Sequence, residues 1–106
     1  LSSAADLWRH DLCALPPAGH TLRILAGDFN ATLDHGQLRS LLGSGYVDAA
    51  VQTGNGLVPT WGTEHGPGLL TIDHVLVDRR CAVLATSVHD LPGSDHRAVY
   101  AVVRLP

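Results

Sequence analysis

Three apolar stretches of this chain give way to short polar clusters: Gly27-Asp28-Phe29-Asn30 after Ile24-Leu25-Ala26, Asp73-His74 after Thr71-Ile72, and Ser94-Asp95-His96 just before Ala98-Val99. A carboxylate inside an apolar run is costly unless it is paired or binds a cation. One such residue reads as a solvated strand end. Three clusters containing Asp28, Asn30, Asp73, Asp95 and His96 read as parts of one shared site. Carboxylate oxygens suit Mg²⁺ or Mn²⁺, and such an ion neutralises phosphate charge in a transition state. An Asp-His pair fixes the imidazole tautomer and places its proton. An Asp and an Asn on one turn can orient a water molecule. The chemistry suggested is phosphoester cleavage.

The surrounding pattern predicts an α/β (α+β) fold with about four main strands and two helices. Ala5, Trp8, Leu12 and Leu15 form a helical stripe over 2–15, with Ser2 or Ser3 as cap, stopped by Pro16-Pro17. Thr21 to Ala26 reads as a buried strand. A short helix over 35–42 follows, capped by Asp34 with Gln37, and Gly43 takes a left-handed position at its end. Residues 43–68 read mostly as loop, with a turn of helix at Tyr46 to Val51 and a short strand or edge segment at Pro59-Thr60-Trp61. Strands over 70–78, 82–89 and 98–105 complete the pattern.

With 106 residues, one domain or part of one is expected. Hydrophobic residues at 45% against 16% charged exclude a disordered chain. So little charge also suggests that some surface is covered by more protein. The net charge is -3, and the seven arginines are scattered with only Arg79-Arg80 adjacent. This is no polyanion-binding surface, although nucleic acid as a partner stays open. Cys13 and Cys81 sit among apolar neighbours and read as reduced thiols, with a disulfide left as the alternative. No apolar run is long enough to span a membrane. Localisation stays open between cytoplasmic and membrane-tethered.

The motifs resemble the endonuclease/exonuclease/phosphatase superfamily, the deoxyribonuclease-I-like fold. The resemblance rests on Ile24 to Asn30, Thr71 to Val77 and Gly93 to Val99, in order, with Pro59-Thr60-Trp61 similar to a segment common in that family. It covers residues 20–106, and it implies a divalent-metal-dependent phosphoester hydrolase of the phosphodiesterase or phosphatase type. Asp28 would align or deprotonate the attacking water and also serve the metal. Asn30 would hold the phosphate or that water. Asp95 would be a metal ligand, direct or through water. His96 would act as general base or as a proton-bearing stabiliser, with Asp73 orienting it. Ser94 would support the site from behind. His74 would do the same or simply pack, since many members carry an aromatic there.

The resemblance also implies that this is a single partial domain, the C-terminal half of a four-layer α/β/β/α sandwich. The N-terminal half of the same fold, with its metal-binding Glu, would be a partner supplied from elsewhere, and a start at Leu1 agrees with that. Glu64, the only Glu, lies in a Gly-rich loop and does not read as the missing ligand. Two other readings follow: a metal-dependent DNA or RNA nuclease, and a catalytically incomplete module. His10, His20, His35, His65 and His89 read as solvated or satisfied, and Trp61 as core or site wall.

Overall fold

The computed structural model describes residues 15–61 and 70–106. Most of the helix expected over 2–15 lies outside them, as do Cys13, Glu64 and His65. The described chain runs β1 (Ile24–Asp28), α1 (Gly36–Gly43), β2 (Tyr46–Asp48), α2 (Ala49–Gln52), β3 (Asp73–Asp78), β4 (Ala82–Asp90) and β5 (Arg97–Arg104). Two antiparallel sheets result. One has the order β1-β3-β2, and the other is the β4-β5 hairpin. This is the α+β arrangement expected, a partial α/β sandwich.

Strand β3 is the centre of the fold. Its side chains alternate between two apolar clusters, as the two-residue period of a strand requires. Leu76 points into a cluster with Phe29, Leu38, Leu41 and Tyr46, which packs α1 on one face of the sheet. Val75 and Val77 point the other way, toward Cys81 and toward Val83, Val99, Ala101 and Val103 of the second sheet. Leu38, Leu76 and Val77 are fully buried. Each contributes about 1.5–3 kcal/mol by leaving water. Cys81 is a buried free thiol.

The far end of β3 is closed by charge. Asp78 accepts from the backbone N–H, Nε and Nη2 of Arg80, and Arg80 Nη2 also donates to the carbonyl of Gly19. The Arg80 side-chain hydrogen bonds hold the Asp78 carboxyl at a pKa of about 2.

Several local expectations change. The strand expected over 21–26 begins and ends later, at Ile24–Asp28. It is mostly exposed rather than buried, because it pairs only with β3. Tyr46–Asp48 is a strand, not a helical turn, and helix begins only at Ala49. Tyr46 pairs with Asp78 across the ladder and donates its hydroxyl to the Pro16 carbonyl at 2.8 Å. Helix α1 is capped by His35 rather than Asp34, since His35 Nδ1 accepts from Gln37 N–H at 3.3 Å. Gly43 stays helical, and the positive φ (115°) falls on Gly45. No helix among the described residues is long and apolar enough to cross a membrane.

Candidate active site

The end of β1 sorts its four motif residues by role. Gly27 has φ 149° with open space where a Cβ would stand, so backbone conformation and not crowding favours glycine there. Asp28 turns outward, and Phe29 is buried beneath it, 7% exposed. The Phe29 N–H donates to the Ile72 carbonyl at 2.9 Å, continuing the ladder past the strand end. Asn30 takes a left-handed φ of 50°, which Asn tolerates better than most residues. Its N–H donates to Asp28 Oδ1 at 2.8 Å. One oxygen of Asp28 is thereby anchored to the loop.

Directly across the ladder from Asp28 stands Asp73. Strand alternation then separates two neighbours. Asp73 lies on the face toward the hairpin, while His74 points back into the core. His74 is buried, with Nδ1 2.7 Å from Asp48 Oδ2 and Nε2 2.6 Å from the Ala31 carbonyl. Its ring meets Phe29 edge-on, with centroids 5.8 Å apart. Both ring nitrogens face acceptors, so the doubly protonated ring satisfies both. Burial alone would lower its pKa, but the Asp48 and Ala31 hydrogen bonds and the Asp48 and Asp73 charges outweigh it, and the net shift is upward. His74 therefore ties the Asn30–Ala31 turn to Asp48, which also caps α2 through Val51 N–H.

A third segment joins these two strands to the hairpin. Thr60, 1% exposed, accepts at Oγ1 from the N–H groups of Ile72 and Asp73, both at 3.0 Å. Its carbonyl accepts from Arg97 N–H at 2.7 Å. The next residue, Trp61, forms a bridge with His96 and donates its indole Nε1–H to Asp95 Oδ2 at 3.0 Å. Pro59-Thr60-Trp61 thus acts as a clasp between the start of β3 and the start of β5. Ser94 Oγ accepts from His96 N–H at 3.1 Å and steadies the turn.

These constraints bring four side chains together. His96 Nδ1 lies 2.8 Å from Asp73 Oδ2, so it donates there. That leaves Nε2 facing Asp28 Oδ2 at 3.6 Å and Asp95 Oδ1 at 3.9 Å. The hydrogen bond to Asp73 is the main cause of a raised His96 pKa, and the charges of Asp73, Asp28 and Asp95 add to it against some desolvation. Asp28, Asp73 and His96 offer ligand atoms all within 4.8 Å of one another. Three carboxylates outnumber the single imidazole, so the cluster carries net negative charge. Asp28 and Asp95 remain partly exposed, 37% and 50%. A hard divalent cation fits this donor set, with carboxylate oxygens on the protein side and water able to reach the rest. A cavity of about 310 Å³ lies beside His96, with apolar walls from Ala26, Val75, Leu91 and Val99 and with Asp73, His74 and Arg97 also on its lining.

Of the residues singled out in the sequence, Asp28, Asp73, Asp95 and His96 converge, and Asn30 and Ser94 hold them through backbone contacts. His74 is separated from them by the sheet and acts as a core brace. His35 serves as a helix cap, and His89 pairs with Ser87 at 2.6 Å. Asp48 and the bonding roles of Thr60 and Trp61 had no signal of their own, because their partners lie 12 to 34 residues away.

Two packed antiparallel sheets with a histidine–carboxylate cluster at their strand ends define the class of architecture. Residues 2–96 match the Endonuclease/Exonuclease/phosphatase family, and the chain belongs to that family. It is a superfamily of hydrolytic enzymes, metal-dependent phosphoesterases and nucleases. No curated protein and no solved structure gives a significant match.

Proposed function

We propose that this chain carries the hydrolytic machinery of a divalent-metal-dependent phosphodiesterase or phosphatase. The observation that carries the reading is the fixed His96 ring, held at Nδ1 by Asp73 with Nε2 turned toward Asp28. With both ring nitrogens protonated, Nε2–H is a donor for a phosphoryl oxygen as charge builds on it. Asp28 Oδ2, beside that donor, orients water for attack on phosphorus and accepts its proton. Asn30, on the same turn, gives a side-chain amide to the phosphate or the water. Asp28 and Asp95 would hold a divalent cation, which when bound would neutralise charge on the phosphate.

Charge supports a small phosphoester over a polynucleotide as substrate. The net charge is -3, and two of the arginines near this end and at the far end of β3, Arg97 and Arg80, are engaged by Asp90 and Asp78. The apolar side of the cavity beside His96, formed by Ala26, Val75, Leu91 and Val99, suits an uncharged organic leaving group. The test is hydrolysis of a nitrophenyl phosphodiester with Mg²⁺ or Mn²⁺. His96→Ala and Asp28→Ala should each lower kcat by about 10²–10⁴. Activity retained within a few-fold in both variants rejects the assignment.

A further inference from the structure

We infer that Trp61 sets the cation preference of this site by holding one oxygen of Asp95. The inference rests on the metal-dependent reading above and concerns how its carboxylates are presented. Asp28 and Asp95 are arranged alike. Each has one oxygen anchored by a protein N–H: Oδ1 of Asp28 by the Asn30 backbone at 2.8 Å, and Oδ2 of Asp95 by the Trp61 indole at 3.0 Å. Each leaves its other oxygen on the His96 side, 3.6 Å (Asp28 Oδ2) and 3.9 Å (Asp95 Oδ1) from Nε2.

That arrangement offers two single oxygens rather than two chelating pairs. Small cations such as Mg²⁺ take one oxygen per carboxylate in near-octahedral geometry and keep several waters. Ca²⁺ accepts six to eight ligands and readily takes both oxygens of one carboxylate. An indole N–H on Asp95 Oδ2 therefore penalises the chelating mode. Trp61 itself contributes no ligand atom, so it is a positioning residue. Its backbone is anchored independently of Asp95, because Trp61 N–H donates to the Leu70 carbonyl at 3.0 Å and Thr60 is locked to β3.

The decisive variant is Trp61→Phe, which keeps a ring and removes only the donor. Mn²⁺ affinity is measured by the paramagnetic resonance of free Mn²⁺, with Ca²⁺ and Mg²⁺ as competitors. The expected result is Mn²⁺ and Mg²⁺ binding weakened by about tenfold, the size of one lost charge-assisted hydrogen bond. Ca²⁺ binding should weaken less than threefold or tighten, so the Mn²⁺/Ca²⁺ preference falls. An unchanged preference, within twofold, overturns the inference even if all affinities drop together. A wild-type protein that binds none of these cations overturns both this inference and the functional reading. Wild-type binding with an unchanged preference in the variant overturns this inference alone. Should Trp61→Phe fail to fold, the indole N–H of wild-type Trp61 serves instead. Its nitrogen–proton resonance should shift on adding Mg²⁺ and should lose exchange protection in Asp95→Ala. A resonance indifferent to both rejects the positioning role.

Discussion

Asp28 and Asp73 face each other directly across the β1–β3 ladder, two carboxylates in register on the same side of the sheet. Like charges so placed repel, and a sheet without a reason to keep them would avoid the pair. Here His96 lies between them, bonded to Asp73 through Nδ1 and facing Asp28 through Nε2.

Asp73→Asn keeps the shape and removes the charge that holds the His96 proton. The expected loss in kcat is about 10²-fold or more, because the imidazole loses its fixed tautomer. The pH profile should move as well. In the wild type the His96 pKa is raised, chiefly by Asp73, so activity that needs the protonated ring persists above the ordinary histidine range and falls as pH rises through the higher value. In the variant that alkaline limb should shift to lower pH. An unmoved limb with lowered kcat would mean that Asp73 serves structure only.

His74 should make its own mark on stability. Its folded pKa is raised above the unfolded value of about 6.5. The stabilisation is therefore complete below that value and is lost as pH rises through the folded one. Urea unfolding at pH 6 and pH 9 should show the wild type weaker at the higher pH. The double variant His74→Phe with Asp48→Asn keeps an N-cap oxygen for Val51 N–H and removes the pair. Its unfolding free energy should depend less on pH over that interval. An identical slope in both proteins would rule the pair out as its source.

Thr60→Val tests the clasp. Valine fills the same space and offers no acceptor to the N–H groups of Ile72 and Asp73. A loss of about 1–3 kcal/mol is expected, seen as a melting temperature lower by roughly 5 °C or more. Because Asp73 orients His96, kcat should fall with it. A variant as stable and as active as the wild type would show that the clasp is dispensable.

Much of this was legible in the sequence, for identifiable reasons. The long apolar runs placed β4 and β5 within a residue and the end of β3 at Asp78, although β3 starts three residues later than expected, at Asp73. Acids set against apolar neighbours marked Asp28, Asp73 and Asp95. Tyr46–Asp48 was missed because a three-residue strand shows too little period to separate it from a helical turn. The burial of β1 was overestimated because apolar composition does not say which strands will have two neighbours. Asp73 and His74 looked like one unit. Only the register of β3 assigns one to the site and the other to the core. Trp61 read as core or wall, and its bond to Asp95, 34 residues on, has no local signature.

The facing pair makes a last prediction in which stability and function oppose each other. Asp28→Asn removes one of the two like charges while keeping an oxygen for the Asn30 N–H. Without divalent cation, and at a pH high enough to neutralise His96, the variant should be more stable than the wild type by about 0.2–1 kcal/mol. High pH matters, because a charged His96 would attract Asp28 and mask the gain. Adding Mg²⁺ should reverse the order. A cation that binds only the folded wild type stabilises it by about 2.7 kcal/mol at a hundred times its dissociation constant, and the variant should gain much less. Thermal unfolding with chelator and then with a Mg²⁺ series measures both arms. If the two proteins respond in parallel, Asp28 does not hold the cation. If the wild type is the more stable one in chelator at high pH, the facing carboxylates carry no repulsive cost for a cation to relieve.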